Sequence, residues 1–145
     1  MNKNVLIVVS KYYQDVSNNL LKGVEDYFKE LNKKKDSEFI LNSFHIVEAP
    51  GCFEIPYLIN KFNKPYQGFI ALGCIIRGEA YHFELISNEV TRKIMDLSIS
   101  LNKPVGFGIL TCENLKQAIE RSDTKKGNKG REAAKACVSL LKQDR

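Results

Sequence analysis

The sequence lacks the features that mark membrane and secreted proteins. No apolar run approaches the roughly 18 to 20 residues that a membrane span requires, and no signal-like segment precedes the first apolar strand at Val5. We therefore expect a soluble, cytoplasmic protein that does not bind membranes. At 145 residues and 43% hydrophobic, the chain is long enough for one well-filled core and too short for two ordinary domains, so a single domain over 1–145 is predicted.

The cysteines form no pattern of the kind that binds metals or builds a disulfide framework. Cys52, Cys74, Cys112 and Cys137 are widely separated, and none belongs to a C-x-x-C pair. Most of them lie in apolar or strand-end surroundings, which favours structural thiols in a reducing compartment over disulfides or metal ligands. We predict no metal site.

Acidic side chains are scarce near the C-terminus, and this segment carries the net charge. Between Arg121 and Arg145 there are eight basic and three acidic residues, a surplus equal to the chain total of +5. Such a segment suits nucleic acid, a phosphorylated small molecule or simple solubility. No aromatic residue is interleaved with these charges, so the stacking platform of single-strand binders is missing. We favour a small anion and expect no nucleic acid as a partner.

Apolar runs and helical periodicities alternate along the chain. Runs that are apolar throughout predict strands, and apolar residues at helical spacing predict helices. Because a helix separates successive strands, we expect a four-stranded parallel sheet covered on both faces. The predicted strands are Val5–Val9, Phe39–Val47, Phe69–Ile76 and Val105–Leu110. The predicted helices are Val16–Leu31, Phe53–Phe62, Tyr81–Leu101, Asn114–Arg121 and Lys129–Leu141.

Three of the predicted strands are followed by loops that carry reactive side chains. Tyr12 and Tyr13 follow the first strand, Glu54 follows the second, and a glycine turn with His82 follows the third. In a parallel sheet these strand ends share one edge, where unpaired N–H groups of helix N-termini favour anions. An aromatic ring, a carboxylate, a histidine and a phosphate-type turn are therefore expected to converge.

His82 is the candidate for proton transfer. It is predicted on the first turn of a helix, where the dipole disfavours the imidazolium, so the ring should be neutral near pH 7 and able to accept and return a proton. Each candidate also has a structural interpretation: His82 as a packing residue, Glu54 as a carboxylate favoured by the helix dipole, and Arg121 as a helix C-terminal cation. His45, within the second strand, is interpreted as structural.

Five short motifs together point to a known enzyme family. They are Pro50-Gly51-Cys52-Phe53-Glu54-Ile55-Pro56, Gly73-Cys74-Ile75-Ile76-Arg77-Gly78-Glu79 with His82-Phe83, Asn88-Glu89, Phe107-Gly108-Ile109-Leu110-Thr111 and Thr124-Lys125-Lys126-Gly127-Asn128-Lys129-Gly130. In this order, over about Val5 to Leu141, they closely resemble the 6,7-dimethyl-8-ribityllumazine synthase family.

The resemblance implies a fold and a reaction. The fold is a flavodoxin-like three-layer αβα sandwich. The reaction is the penultimate step of riboflavin biosynthesis, in which a transferase that needs no cofactor condenses 5-amino-6-(D-ribitylamino)uracil with 3,4-dihydroxy-2-butanone 4-phosphate and releases phosphate and water.

The resemblance also implies roles for individual residues. His82 stands at the proton-transfer position, and Tyr12 stands where the family stacks an aromatic ring on the pyrimidine. The other pyrimidine- and ribityl-binding positions are Cys52, Phe53, Glu54, Cys74, Ile75, Ile76 and Phe107. The phosphate-binding positions are Gly78, Glu79, Ala80, Arg121 and Lys125. In the family, the counterparts of Phe107, Arg121 and Lys125 come from the neighbouring subunit.

A homo-oligomer follows from the same resemblance. The basic unit of the family is a pentameric ring, and the short linker at 125–130 resembles that of members whose pentamers assemble into a sixty-subunit shell. Riboflavin synthase is a further implied partner. Two positions depart from the family: Ala80 replaces the usual threonine and removes a hydroxyl donor to phosphate, and Asp123 replaces the usual glycine and introduces an acid near Arg121.

Two other functions stay open on sequence grounds. A non-catalytic flavin or lumazine binder on the same scaffold is favoured if the two departures impair the phosphate site, and it would bind flavin tightly without condensing the substrates. A nucleic-acid-binding module would instead show a steep salt dependence of its affinity for oligonucleotides.

Overall fold

A four-stranded, all-parallel sheet with helices on both faces forms the protein. The computed structural model describes residues 2–34, 40–78 and 82–143. The strands are β1 (Asn2–Ser10), β2 (Ile40–Ala49), β3 (Gly68–Ile76) and β4 (Val105–Cys112). The helices are α1 (Gln14–Lys34), α2 (Ile55–Lys61), α3 (Phe83–Leu101), α4 (Leu115–Ser122) and α5 (Lys129–Leu141), and a 3-10 turn at Cys52–Glu54 precedes α2. The strand order β2-β1-β3-β4 confirms the predicted flavodoxin-like α/β fold.

Burial follows strand position in the sheet. β3 is buried over its whole length, and the β1 run Val5–Val9 is fully buried, because both strands are central and covered on both faces. β2 and β4 are the edge strands. β2 exposes polar and apolar side chains alike, including His45 and Ile46, so the expectation of strands covered on both faces holds for the centre of the sheet only.

Two cores lie on the two sides of the sheet. On one side, α1 and α5 pack their apolar stripes against β1 and β3, with Leu20, Phe28 and Cys137 among the buried residues. On the other side, α2 and α3 pack against the opposite face of the same strands, with Ile55 and Ile94 buried. Among the described residues, no helix combines the length and hydropathy that would span a membrane.

α1 and α5 approach each other closely enough to require glycine. A Cβ added at Gly130 would lie 2.1 Å from the Leu20 carbonyl oxygen. Farther along the two helices, Arg131 donates to both carboxylate oxygens of Glu30 at 2.8 Å, and this hydrogen bonding lowers the pKa of Glu30. The contact between the two helices thus combines backbone packing with an ion pair.

Several predicted boundaries need correction. The second strand does not end at Val47 but continues to Ala49, because pairing with β1 extends as far as Ser10↔Ala49; its predicted start, Phe39, lies outside the described residues. The predicted helix from Phe53 begins instead as a 3-10 turn, and α2 starts at Ile55.

The helix predicted from Tyr81 needs the same kind of correction. α3 begins at Phe83, with His82 as its N-cap, so His82 precedes the first turn. Tyr81 lies outside the described residues. α4 begins one residue after the predicted Asn114, whose side chain caps the helix by accepting from the Gln117 N–H at 2.8 Å.

Candidate active site

A cavity of about 200 Å³ opens at the carboxyl edge of the sheet, between the ends of β1 and β3 and the turn after β2. Most of its wall is apolar or aromatic, and six predicted substrate-binding residues contribute to it. Its lining is Ser10, Tyr12, Tyr13, Gly51, Cys52, Phe53, Cys74, Ile75, Ile76 and Ile86. We call it the carboxyl-edge cavity.

Aromatic rings stand at the mouth of the carboxyl-edge cavity. The Tyr12 side chain is 74% exposed and the Phe53 side chain is 62% exposed. Tyr12 meets Tyr13 edge to face, with ring centroids 5.0 Å apart. Rings this exposed are positioned to stack on a planar ligand. Glu54, the predicted carboxylate, follows Phe53 at the end of the 3-10 turn and is half-buried, but it does not line this cavity.

The inner wall is built around a close approach of β3 to the turn after β2. The Cys52 thiol donates to the Cys74 carbonyl oxygen at 3.8 Å, and a Cβ added at Gly73 would lie only 2.6 Å from Cys52 Sγ. Burial raises the pKa of Cys52 to about 11, so this thiol stays protonated at neutral pH. It packs the wall and supplies no thiolate nucleophile.

All four cysteines are free and buried, as is typical of structural thiols. Burial also raises the pKa of Cys137, to about 12, and that of Cys112. Among the described residues, no group of three or more histidine, cysteine, aspartate or glutamate side chains is arranged to hold a metal ion.

His82 lies one helical turn from the carboxyl-edge cavity. Its side chain is exposed, and its carbonyl oxygen accepts from the N–H of Ile86, which lines the cavity, at 2.9 Å. The preceding turn contains Gly78 at φ +84°, a conformation that favours glycine. The predicted phosphate-binding residues Glu79 and Ala80 lie outside the described residues.

Arg77 fixes the beginning of α3 against the end of β4. Its guanidinium pairs with Glu84 and with Glu113, the latter at 3.1 Å from Nε, and lies 4.5 Å from the ring centroid of Phe83. Because Arg77 contacts two carboxylates and an aromatic ring, it holds the start of α3 against the end of β4, next to the turn that contains Gly78.

A second cavity, of about 430 Å³, lies along the edge of the sheet formed by β4. It contains two of the predicted residues, Phe107, which is 41% exposed, and Arg121, whose Nη1 donates to the Thr111 carbonyl oxygen at 3.2 Å. Its lining is Phe107, Gly108, Ile109, Leu110, Thr111, Arg121, Lys129 and Glu132. We call it the β4-edge cavity.

The turn that follows α4 accounts for Asp123. Its carboxylate accepts from the Lys125 N–H at 2.9 Å, and no ion pair joins Asp123 to Arg121 in the part of the chain that the structure describes. The acid is therefore used to shape the turn. Lys125 itself is exposed on this turn and does not line the β4-edge cavity.

The structure divides the predicted site into two parts. None of the described residues lines both cavities, so Tyr12 and Phe53 are not brought together with Phe107 and Arg121 within one chain.

Several lining residues were not predicted. Lys129 and Glu132, paired at 2.9 Å, were missed because an i,i+3 pair on a helix looks like ordinary surface charge. Ser10, Gly51 and Ile86 were also missed; the only available signal for Ser10 was its position directly after the predicted strand Val5–Val9.

Comparison with known proteins bears on this geometry. Residues 2–145 match the family described as 6,7-dimethyl-8-ribityllumazine synthase. A protein of that name from Beijerinckia indica subsp. indica is 38% identical over 145 residues, which cover 97% of this chain and 75% of that protein. One from Wigglesworthia glossinidia brevipalpis is 37% identical, with coverages of 97% and 89%, and one from Helicobacter acinonychis is 37% identical, with 97% and 87%. The chain therefore belongs to the 6,7-dimethyl-8-ribityllumazine synthase family.

Proposed function

We propose that the active site is composite, with the carboxyl-edge cavity of one subunit facing the β4-edge cavity of the next. As a 6,7-dimethyl-8-ribityllumazine synthase, the protein is a transferase of riboflavin biosynthesis. It condenses 5-amino-6-(D-ribitylamino)uracil with 3,4-dihydroxy-2-butanone 4-phosphate and releases phosphate and water. The observation that carries the composite site is the division of the family's substrate-binding positions between two separate cavities.

The carboxyl-edge cavity suits the pyrimidine substrate. The exposed ring of Tyr12 offers a face on which a planar heterocycle stacks. The end of β3, Cys74 to Ile76, presents backbone groups to the edge of that ring, and Cys52, Phe53 and Glu54 hold the ribityl chain. Phe107 of the neighbouring subunit covers the stacked ring from the other side.

Phosphate binding draws on both subunits. In the family the phosphate binds at the positions of Gly78, Glu79 and Ala80, which precede α3 in the chain, and the dipole at the N-terminus of α3 favours an anion. Arg121 of the neighbour offers charge-assisted hydrogen bonds, with Lys125 adding positive charge. The backbone N–H at Ala80 survives the loss of the usual threonine hydroxyl, so we expect weaker phosphate binding with activity retained.

The reaction depends mainly on how the protein positions the two substrates. The arylamine is already a nucleophile and the ketone an electrophile, so imine formation needs no activated serine or cysteine. Holding both substrates together supplies up to roughly 7–11 kcal/mol in ideal cases. His82 accepts and returns protons during imine formation, phosphate elimination and ring closure.

A ring of subunits follows from a composite site. One subunit's carboxyl-edge cavity facing the next subunit's β4-edge cavity is a head-to-tail contact, and head-to-tail contacts form a ring when the rotation between successive subunits closes. Exposed apolar side chains on α3, among them Met95 and Ile99, support an interface on that helix. We further propose a pentamer that assembles into a sixty-subunit shell and associates with riboflavin synthase. The chain is a single domain over 1–145, and its proposed location is cytoplasmic. Sedimentation velocity distinguishes the pentamer from the shell.

The decisive experiment mixes the purified protein with both substrates and follows the absorption of the lumazine product. We expect its appearance only when both substrates and the protein are present. Tight flavin binding without condensation would overturn the proposal and identify a flavin- or lumazine-binding protein instead.

A further inference from the structure

Arg77 pairs with two carboxylates close to the N-terminus of α3. Its guanidinium contacts Glu84, in the first turn of α3, and Glu113, which follows β4, with Nε 3.1 Å from a Glu113 carboxylate oxygen. Hydrogen bonding to Arg77 lowers the pKa of Glu84, so this carboxylate is ionised at neutral pH. The cluster therefore carries two negative charges and one positive charge, next to the turn that contains Gly78.

The position of Arg77 does not depend on the two ion pairs alone. Its backbone N–H donates to the Cys112 carbonyl oxygen at 2.8 Å, which joins the end of β3 to the end of β4. Its guanidinium also lies over the ring of Phe83, which attracts a cation. The three charged side chains are exposed, so the ion pairs themselves contribute little to the stability of the fold. Their charges still act on an ion that binds within a Debye length.

We propose that Arg77 sets the affinity for the phosphorylated ketone by balancing the charges of Glu84 and Glu113; the inference rests on the proposed function. That function places the phosphate at positions that follow Arg77 directly in the chain and precede α3. An ionised carboxylate in the first turn of a helix competes for the same dipole as a bound phosphate and repels it. Pairing with Arg77 reduces that repulsion. The pyrimidine substrate has no phosphate, so its affinity should not depend on this balance.

The test measures both KM values of the assembled protein for Arg77→Gln and for the triple variant that adds Glu84→Gln and Glu113→Gln. With both carboxylates unbalanced in Arg77→Gln, we expect the KM for the ketone to rise roughly fivefold to thirtyfold at low ionic strength, with the KM for the pyrimidine unchanged. The triple variant should return towards the wild-type value, because the repelling charges are gone. At about 1 M salt, where the Debye length is about 3 Å, the ratio between Arg77→Gln and wild type should shrink.

Arg92→Gln is the matched control. Arg92 is another exposed arginine of α3 that pairs with two carboxylates, Glu89 at 2.6 Å and Asp96 at 3.5 Å. It lies about two turns beyond Glu84, away from the helix N-terminus. Its removal leaves the same number of carboxylates unbalanced, so a general effect of charge would raise the KM for the ketone equally. We expect neither KM to change.

Four results would overturn the inference: an unchanged KM for the ketone in Arg77→Gln, equal rises for both substrates, no recovery in the triple variant, or the same rise in Arg92→Gln. If Arg77→Gln does not fold, Glu84→Gln with Glu113→Gln should lower the KM for the ketone, because the charge of Arg77 is then unopposed; an unchanged or higher value counts against the inference. Wild-type protein that condenses nothing defeats the proposed function, whereas active wild type matched by Arg77→Gln defeats only the role of Arg77.

Discussion

At the scale of single residues, the two histidines provide a natural comparison. His82 occupies the N-cap position of α3, one turn before Ile86, which lines the carboxyl-edge cavity. His45 lies exposed on β2, with its Nδ1 3.1 Å from the Tyr66 hydroxyl. Only His82 is close to the proposed reaction. A comparison of variants at the two positions therefore separates a catalytic effect from the general effect of removing an imidazole.

We expect His82→Ala to lower kcat without abolishing turnover or assembly. A positioned acid–base group typically contributes about 10² to 10⁴-fold, and the lower end applies because the attacking amine needs no activation. Steady-state rates at saturating substrates measure this, with His45→Ala as the control that should keep the wild-type kcat. An unchanged kcat in His82→Ala would remove its assigned role.

Arg121→Ala should weaken binding of the phosphorylated ketone far more than binding of the pyrimidine. Loss of charge-assisted hydrogen bonds worth about 1.5–3 kcal/mol corresponds to a rise of roughly 10- to 150-fold in KM for the ketone. Lys126→Ala removes the same charge from an exposed position in the following turn and should leave both KM values nearly unchanged. Equal effects of Arg121→Ala on the two substrates would count against phosphate recognition.

At the scale of secondary-structure elements, the contact between α1 and α5 depends on glycine at position 130, which has no side chain. We expect Gly130→Ala to lower the free energy of unfolding by about 1–3 kcal/mol, because its Cβ would collide with the Leu20 carbonyl oxygen. Helix propensity alone would change stability in the opposite direction, by up to about 1 kcal/mol. Chemical denaturation measures the difference, and Ser139→Ala, on an exposed position of α5, is the neutral comparison. A more stable Gly130→Ala would show that the helices separate at little cost.

Elements with an unbroken apolar run or a regular apolar stripe were the ones that the sequence predicted best. β3 differs from its prediction by one residue and α5 not at all, since continuous apolar runs and helical stripes reflect burial directly. The predicted limits of β2 were wrong, because an edge strand carries a mixed pattern of polar and apolar residues. Its limits are set instead by pairing with β1. The 3-10 start before α2 also depends on backbone geometry, which composition does not encode.

The candidate site was predictable where it follows strands and not where it depends on packing. Tyr12 follows β1 and Cys74 lies near the end of β3, so their positions along the predicted strands and the family resemblance already indicated both. The close packing of Ser10 and Cys52 in the wall arises from three-dimensional surroundings, in particular from the absence of a side chain at Gly73. The division into two cavities likewise required the strand order, which places β4 at an edge.

At the scale of the whole molecule, a composite site makes complementation possible. Subunits with His82→Ala keep an intact β4-edge cavity, and subunits with Arg121→Ala keep an intact carboxyl-edge cavity. When the two variants are dissociated, mixed and reassembled, about one site in four should receive both intact halves. We therefore expect the mixture, assayed at low ketone concentration, to exceed the activity of either variant alone.

The control is each variant taken separately through the same dissociation and reassembly. A mixture no more active than the mean of the two would mean that each subunit carries a whole site, and the composite site would be wrong. Reassembly itself is checked by sedimentation, so that a failure to form mixed rings is not mistaken for a failure to complement.

The burial of every native thiol has a practical consequence. Cys52, Cys112 and Cys137 all have a raised pKa, and Cys74 is equally hidden from solvent. Maleimide reagents attack accessible thiolates, so the folded chain offers them almost no background. A single Ser139→Cys substitution on α5 would thus accept a fluorophore or spin label without removal of the natural cysteines, and distances across an assembled particle become measurable by spectroscopy.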